Sequence, residues 1–127
     1  MSAKTILIVD DDPDMRRGLG TRLKSNGYEV AFAGDGITAV SAALREKPDL
    51  ILLDLGLPGG DGFVVMQRLG SLAPLMGVPI IVVSAREPSM NQRKSIQAGA
   101  QRYFQKPVDI DELLVAVADA LGPTRPT

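Results

Sequence analysis

The chain has 127 residues, 45% of them hydrophobic, with 14 basic and 15 acidic side chains for a formal net charge of -1. That length predicts one domain around one core, because chains divide mostly beyond about 250 residues. With no Cys, no His and no Trp, zinc fingers, thiol or Ser-His-Asp catalysis, His-ligated haem and disulfide frameworks are excluded, and the balanced charge lacks the basic footprint of a nucleic-acid binder.

Chemistry in such a chain must run on carboxylates, hydroxyls, Lys and Arg. The first apolar run, Ile6-Leu7-Ile8-Val9, is too short for a signal peptide or a membrane span and ends in acid. A cytoplasmic protein that does not enter the membrane is expected. This run, like those at 30–33, 50–53, 80–83 and 103–104, reads as a strand buried on both faces, rich in β-branched residues and without polar alternation. Asp12-Pro13 then supplies an N-cap and a first helical position, followed by Met15, Leu19 and Leu23 at spacings of four and by Asn26-Gly27 as a helix end. Gly18 and Gly20 lie inside this helix, each costing about 1 kcal/mol relative to Ala. They are either ordinary imperfect propensity or room left for a partner helix.

A second strand is predicted at Val30-Ala31-Phe32-Ala33, and Asp35-Gly36 turns into a helix with the stripe Ala39, Val40, Ala43 and Leu44. Leu50-Ile51-Leu52-Leu53 is the third strand. After the turn Gly59-Gly60-Asp61-Gly62, Phe63, Val65, Met66 and Leu69 mark a third helix. Ile80-Ile81-Val82-Val83 is the fourth strand, followed by a mostly polar helix from about 89 to 98. Tyr103-Phe104 is a short fifth strand, and Val108-Asp109 opens the cleanest helix, with Ile110, Leu113, Leu114, Val117 and Leu121 on one face. Strand and helix alternate five times, which implies a parallel sheet covered on both faces with right-handed crossovers.

Ligands of such sheets bind outside the carboxyl ends of the strands. Those ends carry Asp10-Asp11-Asp12, Asp54, Ser84 and Lys106. Asp12 reads as a helix cap. Two or three carboxylates facing Asp54 would repel one another unless a cation intervened, and a hard divalent ion such as Mg²⁺, with oxygen ligands and spare waters, fits that need. Lys106 supplies a further positive charge. The spacing Asp10, Asp12, Asp14 imitates the opening of an EF-hand loop, but Met15 and Thr21 stand where Gly and Glu are required. An anion cradle after the first strand would need Gly, Ser or Thr, and this loop is acidic. A Mg²⁺-dependent phosphatase with an aspartyl nucleophile would use Asp10-x-Asp12, yet it expects Thr or Val where Asp14 stands.

Taken together, Ile-Leu-Ile-Val-Asp10-Asp11, Leu-Leu-Asp54-Leu-Gly-Leu-Pro58-Gly-Gly-Asp-Gly62, Val-Val-Ser84-Ala85-Arg86, Gly99-Ala100 and Tyr103-Phe-Gln-Lys106-Pro107 resemble the receiver domain of bacterial two-component response regulators, the CheY-like family. The resemblance covers about residues 4 to 121. It implies a doubly wound (βα)5 α/β sandwich with strand order 2-1-3-4-5. It assigns residues 1–121 to a receiver domain and 122–127 to a flexible tail or linker stub.

It further implies Asp54 as phosphoacceptor and Mg²⁺, with Mn²⁺ as a substitute, held by Asp10, Asp11, Asp54 and the Gly56 carbonyl. Ser84 and Lys106 would contact the phosphoryl oxygens, and Ser84 with Tyr103 would form the switch. The Lys106-Pro107 bond is often cis in the family. The partners implied are a sensor histidine kinase or histidine phosphotransfer protein, and an output partner or domain reached through helix four, strand five and helix five. A homodimer on phosphorylation is compatible; direct nucleic-acid and membrane contacts are not expected. The resemblance makes the chain a signalling switch that catalyses its own phosphorylation and dephosphorylation, not a turnover enzyme. The alternatives are the phosphatase above and a receiver-like interaction module that is never phosphorylated. Gly56 and Arg86 occupy positions that in the family influence acyl-phosphate lifetime.

Overall fold

The structure is a computed structural model that describes residues 3–59 and 61–122. Gly60 in the predicted turn and residues 123–127 of the predicted tail lie outside the described residues. Five strands, β1 (Thr5–Val9), β2 (Glu29–Ala33), β3 (Leu50–Leu53), β4 (Ile80–Ser84) and β5 (Arg102–Gln105), form one parallel sheet of order β2-β1-β3-β4-β5. The helices are α1 (Pro13–Ser25), α2 (Gly36–Glu46), α3 (Gly62–Ser71), α4 (Pro88–Gln97) and α5 (Ile110–Leu121).

The period-two alternation of a strand divides the core. Leu7, Val9, Ile51, Leu53, Ile80 and Val82 face Ala39, Ala42 and Ala43 of α2 and Val65, Met66 and Leu69 of α3. Ile6, Ile8, Leu50, Leu52, Ile81 and Val83 face Leu19 and Leu23 of α1 and Leu113, Ala116 and Val117 of α5. Continuous apolar runs are therefore two interleaved faces, each buried under its own helices. Ile81 is fully buried, and Ile81→Val is expected to cost about 0.5–1.5 kcal/mol, read as a lowered thermal midpoint with no change in the far-ultraviolet spectrum.

Side-chain caps start the helices where the turns were expected. Asp12, Asp35, Asp61 and Asp109 each accept a backbone N–H of the first turn of α1, α2, α3 and α5, satisfying donors that the helix itself leaves free. Glu87 caps α4, accepting from the Ser89 hydroxyl and, at 3.2 Å, from the Ser89 N–H. Those bonds, the hydroxyl first, hold its carboxyl below the usual range. The polar α4 is thus an ordered helix whose buried side is Ser95 alone.

One expectation needs correction. The runs at 30–33 and 103–104 do not lie in doubly buried strands, because β2 and β5 are the sheet edges and keep exposed residues. A 3-10 turn at Ala73–Leu75 also precedes β4; its three residues are too few to carry a periodic signal. No described helix is long and apolar enough to cross a membrane.

Candidate functional site

Register builds the site. Val9 pairs with Leu53 and the Asp54 N–H donates to the Val9 carbonyl at 3.0 Å, so the residues following β1 and β3 emerge side by side. The order of strands reverses at β1, where an open α/β sheet leaves a crevice. Asp10 and Asp54 are buried there, and Asp11 is exposed. One carboxylate oxygen from each of the three lies within 4.8 Å of the others.

A third strand end brings the cation. Ser84 pairs with Gln105, and the Lys106 N–H donates to the Ser84 carbonyl at 2.8 Å. From that anchor Lys106 Nζ reaches Asp10 Oδ2 at 2.8 Å and Asp54 Oδ2 at 3.3 Å. Burial pulls the Lys106 pKa down, but the hydrogen bond to Asp10 and the charges of Asp54 and Asp10 outweigh it and hold the ammonium above its ordinary value. The lysine stays charged at neutral pH and offsets the repulsion between two buried carboxylates. The peptide bond from Lys106 to Pro107 is cis.

The remaining predicted residues gather around this cluster. The Gly56 N–H donates to Asp54 Oδ1 at 3.0 Å, which fixes the carboxylate plane. Asp10 Oδ1 accepts from the Asp12 N–H at 2.9 Å, while Asp12 itself is the cap of α1, as read from sequence. Ser84 is buried, and its Oγ accepts from the Arg86 N–H at 3.2 Å. Tyr103, half-buried, donates its hydroxyl to the Arg86 carbonyl at 2.6 Å; burial raises its pKa. Ser84 and Tyr103 therefore meet the same residue, Arg86, from its two backbone sides.

Sequence reading missed Arg16. Its Nη1 donates to the Asp10 carbonyl at 3.3 Å, and a Cβ on Gly34 would come within 2.9 Å of that nitrogen. A helix-face arginine carries no sequence signal for bending back over the preceding strand end. Arg22, farther along the same helix, bonds Asp111 of α5 at 2.6 Å.

Three carboxylates with one exposed member form an all-oxygen donor set open to solvent, the chemistry of a hard divalent cation. Because the three oxygens lie within 4.8 Å of one another, a single cation between them would meet all three carboxylates.

The sequence profile described as the response regulator receiver domain matches residues 6–118. The chain belongs to this family. The receiver is 39% identical over 116 residues to the transcriptional regulatory protein KdpE of Mycobacterium tuberculosis, covering 91% of this chain and 50% of that protein. It thus spans about half the length of the curated relatives it matches. A CheY-like response regulator receiver domain protein from Methanospirillum hungatei superposes with a TM-score of 0.87 at 32% identity, over 94% of each chain. The receiver domain of the sensor histidine kinase PA1611 from Pseudomonas aeruginosa, solved with a magnesium ion in its active site cleft, gives a TM-score of 0.86 at 32% identity, over 96% of this receiver and all of that chain.

Proposed function

We propose that this receiver accepts a phosphoryl group on Asp54 from a phosphohistidine of a sensor kinase or a histidine phosphotransfer protein. The observation that carries the reading is the convergence of three carboxylates and one lysine from three strand ends on the rim of the β1–β3 crevice. Asp10, Asp11, Asp54 and the Gly56 carbonyl would hold Mg²⁺, which when bound neutralises charge on the phosphoryl oxygens and on the carboxylates together. Mn²⁺ would substitute.

Asp54 needs no general base, being ionised already. One of its oxygens forms the new bond to phosphorus, the bond from phosphorus to the donor nitrogen breaks in line, and the electron pair leaves on the imidazole. Lys106 moves its hydrogen bonds from carboxylate to phosphoryl oxygen, and the Ser84 hydroxyl turns from Arg86 toward a second one. Acyl phosphate carries about one more negative charge than carboxylate and adds strong acceptors. Releasing Ser84 from the Arg86 N–H loosens the strand end on which Tyr103 rests. The Ser84 and Tyr103 pair would then pass the change to the α4–β5–α5 surface and to an output partner or domain, with homodimer formation as one response. Such a domain, cytoplasmic and spanning residues 1–121 with 122–127 as a tail or linker, works as a self-modifying switch.

Incubation with acetyl phosphate is expected to add one phosphoryl group, seen by intact mass, only when Mg²⁺ is present. Turnover of acetyl phosphate through Asp10 with no adduct on Asp54 would favour the phosphatase reading, and no reaction the interaction module. Lys106→Met removes one charge-assisted hydrogen bond, worth about 1.5–3 kcal/mol. Adduct formation should slow by about 10- to 150-fold while Asp54 remains the modified residue.

A further inference from the structure

The three carboxylates of the crevice are not held alike. Asp10 is fixed at both oxygens, accepting from the Asp12 N–H and from Lys106 Nζ, and Asp54 is fixed likewise by the Gly56 N–H and Lys106 Nζ. The Asp11 carboxylate is exposed, and among the described residues it accepts no hydrogen bond. Its place is therefore set by the backbone on either side of it.

Two peptide groups flank Asp11. The one leading on to Asp12 is held at its N–H, 2.9 Å from Asp10 Oδ1. The one leading in from Asp10 is held at its carbonyl by Arg16 Nη1 at 3.3 Å. Among the described residues, neither that carbonyl nor the Asp11 N–H has another hydrogen-bond partner. Asp10 is buried, so a carbonyl released by Arg16 would be short of a donor. Gly34 makes the room for the guanidinium. It follows Ala33, whose carbonyl takes the Asp10 N–H at 3.0 Å, and so lies alongside Asp10. A Cβ at Gly34 would stand 2.9 Å from Arg16 Nη1 and, its chain neighbours aside, would meet no other atom within 4 Å. The φ of Gly34 lies outside the left-handed region, so an alanine there has mainly the tip of Arg16 to displace.

We infer that Arg16 is a positioning residue for the metal site: by holding the peptide between Asp10 and Asp11 it sets where Asp11 presents its carboxylate to Mg²⁺. This role rests on the Mg²⁺ site proposed above. Its sign separates it from an effect of charge. A guanidinium repels a dication, so by charge alone the removal of Arg16 would tighten Mg²⁺ binding. Loss of positioning weakens it instead, and Gly34→Ala brings that loss about with the charge still present.

The test is the rise in thermal midpoint of the full chain with Mg²⁺ concentration, in the absence of any phosphoryl donor. Each variant is compared with its own metal-free midpoint, so a loss of stability unrelated to the metal drops out. Arg16→Ala, which keeps the helix propensity of α1, and Gly34→Ala should each need about tenfold more Mg²⁺ for the same rise, the low end for a group that orients a metal ligand. In the Arg16→Ala background Gly34→Ala should add nothing, because the atom it would displace is gone. Affinity equal to or tighter than wild type in either single variant overturns the inference, and so does a double variant in which the two losses multiply. A wild-type chain indifferent to Mg²⁺ overturns the metal site itself, and this role with it.

Discussion

Asp54→Asn is expected to abolish the phosphoryl adduct while leaving the fold intact. The amide is nearly isosteric with the carboxylate, so the Gly56 N–H, 3.0 Å from Asp54 Oδ1, keeps an oxygen to bond. What disappears is the anionic nucleophile, because a neutral amide oxygen does not displace a leaving group from phosphorus. The substitution also removes one of the two buried carboxylates that share Lys106. Without metal, the remaining Asp10 to Lys106 pair at 2.8 Å is better balanced than the original trio. The thermal midpoint of the variant in the absence of Mg²⁺ should therefore equal or exceed that of the wild type, and the stabilisation gained on adding Mg²⁺ should shrink. Intact mass and thermal melts with and without Mg²⁺ read both halves. An adduct that persists on Asp54→Asn would move the phosphoacceptor to Asp10 or Asp11.

Gly62→Ala and Gly18→Ala should shift stability in opposite directions, although both replace a helical glycine. A Cβ at Gly62 would stand 2.5 Å from Leu55 Cα and 2.8 Å from the Leu55 carbonyl oxygen. These are backbone atoms of a fully buried residue, so no side-chain rotation relieves the clash. Moving α3 or the 54–56 segment costs about 2–3 kcal/mol, within the range for an overpacked core. The same movement displaces Gly56 from Asp54, so adduct formation should fall with stability. At Gly18 an alanine methyl would meet no atom of another element within 4 Å, and the position lies inside α1, where Ala is preferred by about 0.5–1 kcal/mol. Paired denaturant titrations of the two variants check the signs; a Gly62→Ala protein as stable as wild type would mean that the α3 start yields more easily than its packing implies.

The two glycines in α1 show where sequence reading stopped. Gly18 and Gly20 were alike in the chain, either weak propensity or room for another element. In the structure Gly18 faces open space, whereas Gly20 takes the edge of the Phe32 ring. The difference comes from β2 crossing beneath one side of the helix, a contact between residues 20 and 32 that no local pattern encodes. Arg16 is a similar case. Its contact with the Asp10 carbonyl depends on how the first turn of α1 leaves the strand, and Arg16, Arg17 and Arg22 are equivalent as letters.

What the sequence determined by itself was the alternation of elements, the caps and the residue types on the rim. Apolar runs must find cover from water, a helix start must find acceptors for its free N–H groups, and carboxylates must stand where water or a cation can meet them. These are local or compositional demands, legible without a fold. Only the tertiary structure decided that Asp54 lies beside Asp10, because that follows from β3 pairing with β1 in the register of Val9 and Leu53. It likewise decided that Lys106, at the far end of the chain, reaches both carboxylates, since strand order sets which ends share a crevice. The pairing of strands distant in sequence is chosen by the packing of whole helices on each face, and that choice is made by the assembled core, not by any one segment.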